Sequence, residues 1–323
     1  MEIYPILHQQ DLAELMPLIE EYYLDELRHY PYLDQPKRLR LRLTDLERVL
    51  SSDSQNHILV VRQQQITGMV VIRNQAWGSD NFGVQMRALE YLIVRPNDCA
   101  NTLSALLQAV YALCRAENVR HLSIKIDTNL LNYKYALQQD DFYLVDTSMA
   151  YIATCNKLNL KQLKPLFNIR KYCIDDLACI KALATQTFNN DRFHNDPHLD
   201  NDACNNFYAS WVESNLKKLQ ANYGFVAERN QTVHGFLCFS FNEFIAETTQ
   251  IKVYDNGLGA VSKNGLGAYP ALFFNSIVEA KNQGGEIIVA KTQVNNYEAM
   301  KIFALFGLTL ANSQYILHKW FAQ

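Results

Sequence analysis

Apolar segments recur along this chain in the same order at an interval of about 166 residues, a period long enough to be a whole domain copied once. In the first copy His57–Arg62 and Ile66–Ile72 read as a strand pair around Gly68; in the second, Gly224–Glu228 and Val233–Phe239 read as the same pair around Gly235. A third strand follows in each (Leu89–Val94; Ile251–Val261), then a long helix (Thr102–Glu117; Pro270–Gln283). A strand (His121–Ile126; Glu286–Ala290), a short helix (Asn132–Gln138; Tyr297–Phe306) and a last strand (Phe142–Ile152; Leu308–Lys319) complete the pattern. Helices precede it at Asp11–Arg28 in one copy and at Ile174–Phe188 and Asn206–Leu219 in the other. Strands alternating with helices at this spacing predict an α/β fold in which each copy is a mixed sheet covered by helices on both faces. The polar stretch Asn156–Asn168, with Pro165, is the expected linker and divides residues 1–155 from 156–323.

The copies differ where a ligand would sit. Asn264-Gly265-Leu266-Gly267-Ala268-Tyr269-Pro270 lies between an apolar strand and a helix. Two glycines let a backbone approach an anion, Pro270 presets φ for the first helical turn, and the helix start offers free N–H groups and the positive end of its dipole. The same five residues, Asn-Gly-Leu-Gly-Ala, occur at Asn256 to Ala260, but no proline-started helix follows them, so they read as a strand with a bulge. The first copy has Val94-Arg95-Pro96-Asn97-Asp98-Cys99-Ala100-Asn101 at this point, without glycine and with an aspartate that repels phosphate. A nucleotide-bearing ligand is therefore expected in the second copy alone.

Composition excludes several classes. A net charge of −3, with 20% charged residues, gives no general attraction for nucleic acid or a membrane surface. The seven cysteines show no Cys-x-x-Cys spacing and are an odd number, as in a reducing compartment. Met1-Glu2-Ile3-Tyr4-Pro5 carries no basic segment before an apolar run, and the expectation is a cytoplasmic chain. His194, Asp196 and His198 lie close together, but Pro197 breaks the helix that would align the two histidines, so no metal is expected. The basic run Lys37 to Arg42 reads as a solvated face.

The second copy resembles the GNAT superfamily of acyl-CoA N-acyltransferases, and within it dTDP-fucosamine acetyltransferase and related sugar-nucleotide N-acetyltransferases. Three segments between about Asn168 and Trp320 carry the resemblance: Arg192-Phe193-His194-Asn195-Asp196-Pro197 with Tyr208-x-x-Trp211-Val212-Glu213; Asn264 to Ala268; and Thr292-Gln293-Val294-Asn295-Asn296 running into Gly307. Ala76-Trp77-Gly78-Ser79-Asp80-Asn81-Phe82-Gly83 loosely resembles the N-terminal region of the same enzymes.

The resemblance implies two tandem GNAT-like domains, the first without cofactor, and transfer of an acetyl group from acetyl-CoA to a small-molecule primary amine, with a nucleotide-linked amino sugar as one such acceptor. It places the cofactor at Ala260, Val261, Asn264, Gly265, Leu266, Gly267, Ala268, Tyr269, Asn296 and Phe303, and the acceptor at Arg192, Phe193, Asp196 and Trp211. This chain departs from the family at three of these positions. Asn264 replaces Arg or Gln, Tyr269 replaces Gly or Ala, and Phe303 replaces the tyrosine that protonates the leaving thiolate. Tyr269 and Tyr315 are the candidate substitutes, with water as a third source of the proton, and the sequence does not choose among them. A GNAT enzyme acting on a peptide, antibiotic or polyamine amine, and a non-catalytic acyl-CoA sensor, are the alternative readings.

Overall fold

The chain begins with strand β1 (Glu2–Pro5), helices α1 (Met16–Glu21) and α2 (Gln35–Ser52), and the hairpin β2 (His57–Arg62) and β3 (Ile66–Asn74). There follow α3 (Ala76–Phe82), β4 (Met86–Val94), α4 (Cys99–Ala116), β5 (His121–Asp127), α5 (Leu131–Gln139) and β6 (Tyr143–Thr154). The second run is β7 (Asn168–Lys171), α6 (Leu177–Thr187), α7 (Asn201–Lys217), β8 (Asn222–Arg229), β9 (Thr232–Phe241) and α8 (Glu243–Thr249). It ends with β10 (Val253–Val261), α9 (Ala268–Asn282), β11 (Ile287–Gln293), α10 (Tyr297–Leu305) and β12 (Thr309–Trp320). This computed structural model describes residues 1–22, 26–52, 55–95, 99–160, 166–217 and 222–322.

Two compact units result. The first comprises Met1–His29, Leu33–Thr147 and Gln314–Gln323; the second comprises Tyr30–Tyr32 and Ser148–Ser313. In the first, β1 to β4 pair antiparallel in sequence order, β4 and β5 pair parallel, and Gln314–Trp320 of β12 add antiparallel to β5. In the second, β10 and β11 pair parallel and β6, β9, β8 and β7 extend the sheet antiparallel.

Alternation along each strand sends apolar side chains to both faces, so both faces need a helical cover. Ile58 and Val60 join Leu18, Leu46 and Val49 of α1 and α2, whereas Leu59 and Val61 join Leu106, Val110 and Leu137 of α4 and α5. In the second unit Phe239, Ile288 and Ala290 meet Phe273, Ile277 and Phe303 of α9 and α10, and Val226, Phe236 and Cys238 meet Ile180, Val212 and Leu216 of α6 and α7. Truncating the fully buried Phe273 to alanine is expected to cost about 3–5 kcal/mol.

Several expectations change. The last strand of each copy does not stay with its own copy: Ser148–Thr154 of β6 pair with β11 in the second unit, and the end of β12 pairs with β5 in the first. A cut at residue 155 therefore differs from the observed division at Thr147, with the chain's last ten residues in the first unit. The basic run Lys37 to Arg42 lies on α2, where the partly buried Arg42 donates to the Tyr91 hydroxyl at 3.1 Å. Asp11–Arg28 is not one helix but 3-10 turns flanking α1. Short helices α3 and α8 precede β4 and β10, and Gly83 closes α3 in the left-handed conformation, φ 67°. Of the expected linker, residues 161–165 lie outside the described residues, and Asn168 already begins β7.

Candidate functional site

In the second unit β10 runs beside β11 only from Val253 to Asn256, opposite Ile287 to Ala290. Beyond that rung β10 stays with β9 (Val261 opposite Gly235), while β11 stays with β6 (Gln293 opposite Ser148). Strands that part in mid-sheet leave a wedge whose walls carry backbone N–H and C=O groups in need of partners. The parting follows from a bulge in β10, where the register shifts between Asn256 and Gly259. The first Asn-Gly-Leu-Gly-Ala copy is that bulge. Ala260 and Val261 lie on the β10 wall of the wedge.

The second copy forms the turn from β10 into α9. Ser262 N–H donates to His234 O (2.8 Å), Gly265 N–H to Ser262 O (2.8 Å) and Ala268 N–H to Gly265 O (2.9 Å). Gly267 is the N-cap of α9 at φ 87°, a conformation that strains any residue with a Cβ, and no side chain caps the helix. Leu266 projects outward, 88% exposed. Arg229, at the end of β8, donates to Asn264 O at 3.0 Å, and its guanidinium sits 4.7 Å from the Phe167 ring centroid. A glycine cap that leaves the helix start uncovered by any side chain, the positive end of the helix dipole and an adjacent guanidinium fit a diphosphate.

Asn296 caps α10 by accepting from Ala299 N–H at 3.2 Å. Phe303 follows on the same helix, 1% exposed, with ring centroids 5.5 Å from Tyr151 and 5.3 Å from Phe273. Tyr269 stacks on Phe273 and its hydroxyl accepts from Asn256 Nδ2 at 3.1 Å; burial pushes its phenol up to about 12, so it carries its proton at neutral pH. Tyr315 belongs to the first unit, opposite Ile126, with Lys134 Nζ 4.7 Å from its ring centroid. Of the two candidate phenols, Tyr269 alone belongs to the unit that carries the glycine turn.

On the α6 and α7 face, the Arg192 guanidinium lies 4.5 Å from the Phe193 ring centroid, and Phe193 is buried against Phe207. Trp211 of α7 is 37% exposed beside Phe207 and Tyr208. Asp196 differs from an open acceptor contact: it is 1% exposed, with Oδ1 accepting from His198 N–H at 3.0 Å. His194 uses both ring nitrogens, toward Asp191 Oδ2 (2.6 Å) and Asn205 Oδ1 (3.1 Å). Asp255 points to this face from β10, opposite Ser240; its Oδ2 accepts from Asn242 Nδ2 at 2.9 Å, and burial raises its carboxyl above the usual range against the pull of Lys291 and Asn242.

Asp255, Asn256, Arg229 and Tyr151 escape sequence reasoning. Arg229 ends a strand far from the loop it touches, and Tyr151 comes from the strand read as closing the first copy. The Asn256 stretch does carry a signal, since its glycines mark the bulge. The first copy's counterpart of the glycine turn includes Pro96, Asn97 and Asp98, which lie outside the described residues. Among the described cysteines none forms a disulfide, and burial pushes Cys114, Cys204 and Cys238 up to about 12.

No family model matches the chain. The spore coat polysaccharide biosynthesis protein SpsD of Bacillus subtilis (strain 168) is 22% identical over 258 residues, covering 79% of this chain and 85% of that protein. Among solved structures, a GCN5-related N-acetyltransferase from Sphaerobacter thermophilus has a TM-score of 0.65 at 11% identity, over 98% of this chain and 95% of its own. A tandem GNAT protein from the clavulanic acid biosynthesis pathway has a TM-score of 0.57 at 10% identity, over 99% and 98%. At these identities the likeness is one of fold: the chain has the tandem GNAT fold.

Proposed function

We propose that this tandem GNAT-fold chain is an N-acetyltransferase whose second unit moves an acetyl group from acetyl-CoA to a primary amine on a nucleotide-linked amino sugar. The observation that carries the reading is the parting of β10 and β11 beyond Asn256, beside a glycine-capped helix start. A polysaccharide biosynthesis protein among the relatives supports a sugar acceptor. Acetyl-CoA supplies the activated acyl carbon.

Each element then has a task. Gly265 to Tyr269 and Arg229 hold the diphosphate; Ala260 and Val261 offer backbone groups to the pantetheine arm; Asn296 and Phe303 border it. Direct attack needs amine and thioester in line, a neutral amine and a stabilised leaving thiolate. Asp255, with its raised carboxyl, takes the amine proton on the α6 and α7 face, the face that also carries Arg192, Phe193 and Trp211. Asp196, being buried, shapes that loop from within. The first unit keeps the fold without the cofactor, and the enzyme works in the reducing cytoplasm.

Phe303 favours a second reading, an acyl-CoA sensor, because phenylalanine cannot protonate a thiolate. Turnover separates the two. Acetyl-CoA is incubated with nucleotide-linked amino sugars, peptides, aminoglycosides and polyamines, and acetylated product is detected by mass. Acetylated sugar nucleotide is expected; binding with no free CoA released on any amine is the sensor's outcome. Arg192→Ala is expected to raise the KM for acceptor and leave CoA affinity unchanged.

A further inference from the structure

Asn256 occupies the last rung shared by β10 and β11, facing the α9 and α10 side of the sheet with its β9 partner Phe239 and its β11 partner Ala290. It is 9% exposed, and its Oδ1 has no hydrogen-bond partner. A buried amide oxygen without a donor is destabilising, so asparagine at this position carries a penalty that a bound N–H would remove. Its Nδ2 donates to the Tyr269 hydroxyl at 3.1 Å. The Tyr269 ring reaches Asn256 because Gly259 leaves it room: a Cβ on Gly259 would lie 3.0 Å from Tyr269 Cε2 and 2.6 Å from Leu237 Cδ1. The bulge and the first turn of α9 thus build a polar pair at the point where the two strands separate.

A phenol oxygen that accepts from an amide has one lone pair engaged, and its own proton is directed away from the donor. We propose that Asn256 and Tyr269 form the proton-donating pair of the second unit, Tyr269 as the catalytic acid toward the leaving sulfur and Asn256 as the residue that positions its hydroxyl and accepts an amide N–H of the pantetheine arm. This rests on the acetyltransferase reading above. In the step, the amine nitrogen bonds to the acyl carbon, the carbon–sulfur bond breaks, and the sulfur keeps the electron pair and takes the Tyr269 proton. Asp255 accepts the proton lost by nitrogen and releases it to water, and water returns one to the phenolate, so the enzyme is restored and the products are amide and free thiol. The Asn256 N–H stabilises the phenolate in the interval, which offsets the burial that otherwise holds the phenol protonated.

The test uses CoA itself and needs no acceptor. Ultraviolet absorbance of the thiolate gives the thiol pKa of CoA bound to the full chain, and calorimetry gives its affinity. A phenol donating to the sulfur is expected to make the bound thiol at least about tenfold more acidic than free CoA, since hydrogen bonds to charged groups contribute about 1.5–3 kcal/mol. Tyr269→Phe is expected to abolish the effect while CoA still binds. Asn256→Asp, nearly isosteric but able only to accept when ionised, captures the phenolic proton and is expected to abolish it too; Asn256→Ala weakens it. Tyr151→Phe, which removes the phenol packed on Phe303, is expected to leave it intact. Normal CoA binding with an unshifted thiol, or a shift lost in Tyr151→Phe instead, overturns the assignment alone. Failure of the parent chain to bind CoA overturns the acetyltransferase reading and this inference together.

Discussion

Val94 N–H donates to the Tyr133 hydroxyl at 3.0 Å in the first unit, so a side chain of that unit satisfies a backbone donor at the end of β4. The setting matches the second unit's wedge, because β4 runs beside β5 only from Met86 to Leu89, opposite His121 to Ile124. Tyr133 is the third residue of α5, and the third residue of α10 is Ala299. One wedge is filled by a buried phenol where the other has a methyl group. Tyr91, at φ 48° in β4, shows that the strand is bent here too, next to a register shift between Met69 and Val71.

One equivalent of CoA is therefore expected per chain, bound to the second unit. Gly267→Asp puts a Cβ at φ 87° and a carboxylate in the proposed diphosphate site, and binding is expected to fall below detection. Calorimetry counts the sites. Two equivalents, or unchanged affinity in the variant, contradicts the assignment of the turn.

In the proposed diphosphate site Arg229 supplies the charge that Asn264 lacks. Arg229→Ala is expected to weaken CoA binding about tenfold, the lower end for a charge-assisted hydrogen bond at an exposed site, and to flatten the dependence of affinity on salt. Titration at two ionic strengths checks both effects. Unchanged affinity and an unchanged salt slope would remove Arg229 from the site.

Much of the fold was legible because periodicity reports which faces are buried. The hairpins around Gly68 and Gly235, both long helices and the glycine turn appear where their patterns place them. Strand exchange was not legible: β6 and β12 alternate in the same way, and alternation fixes which side chains face the core without naming the neighbour. Short α3 and α8 fell below the length at which helical periodicity shows. The turn could be read locally from Asn264 to Pro270, whereas Arg229 and Asn264 are brought together by tertiary structure, and the Asn256–Tyr269 bond depends on a bulge whose side-chain direction no spacing rule supplies. Asp196 is the converse case, a loop carboxylate whose sequence context gives no sign of its burial.

Asp255 sets the expected pH dependence. Its raised carboxyl must be ionised to accept a proton, so kcat/KM rises with pH through an acid limb lying above the ordinary carboxylate range. Asp255→Asn is expected to remove that limb and to lower turnover about 10²-fold. Because burial disfavours the ionised form, stability contributed by this site declines as pH rises through the folded-state pKa, and the asparagine variant is expected to melt higher at neutral pH. A variant with normal turnover and an unmoved acid limb excludes Asp255 as the base.

The Arg170–Asp176 pair gives a prediction independent of catalysis. Arg170 reaches both Asp176 oxygens, at 2.7 and 2.8 Å, and Cys173 N–H adds a third bond at 2.9 Å. The Arg170 guanidinium, with that N–H, holds the carboxyl down at about 2 from an ordinary 3.8. A depressed carboxyl contributes stability that is present above the ordinary value and lost as pH falls through about 2. Asp176→Asn is expected to cost on the order of 1–2 kcal/mol at neutral pH, after allowance for solvent screening of Arg170, and to flatten the acid limb of denaturant stability. An unchanged slope between those two pH values rejects the pair as a source of acid sensitivity.

Phe303→Tyr introduces the hydroxyl that the resemblance to sugar-nucleotide N-acetyltransferases implies at this position, in a ring cluster where Phe303 touches Tyr151 and Phe273. CoA binding is expected to persist, because the ring itself stays in place. If Tyr269 donates as proposed, a second phenol has little to add, and the single variant is expected to change turnover less than about threefold against the 10²- to 10⁴-fold that a positioned acid supplies. The informative chain is the double variant. Tyr269→Phe lowers turnover, and Phe303→Tyr in that background is expected to recover part of it, since a phenol reaching the sulfur from α10 performs the same proton transfer. A large gain from the single variant means that no donor acts in the native chain, and the role given to Tyr269 fails. If parent, single and double variants all bind CoA and none acetylates any amine in the panel, the enzyme reading yields to the acyl-CoA sensor.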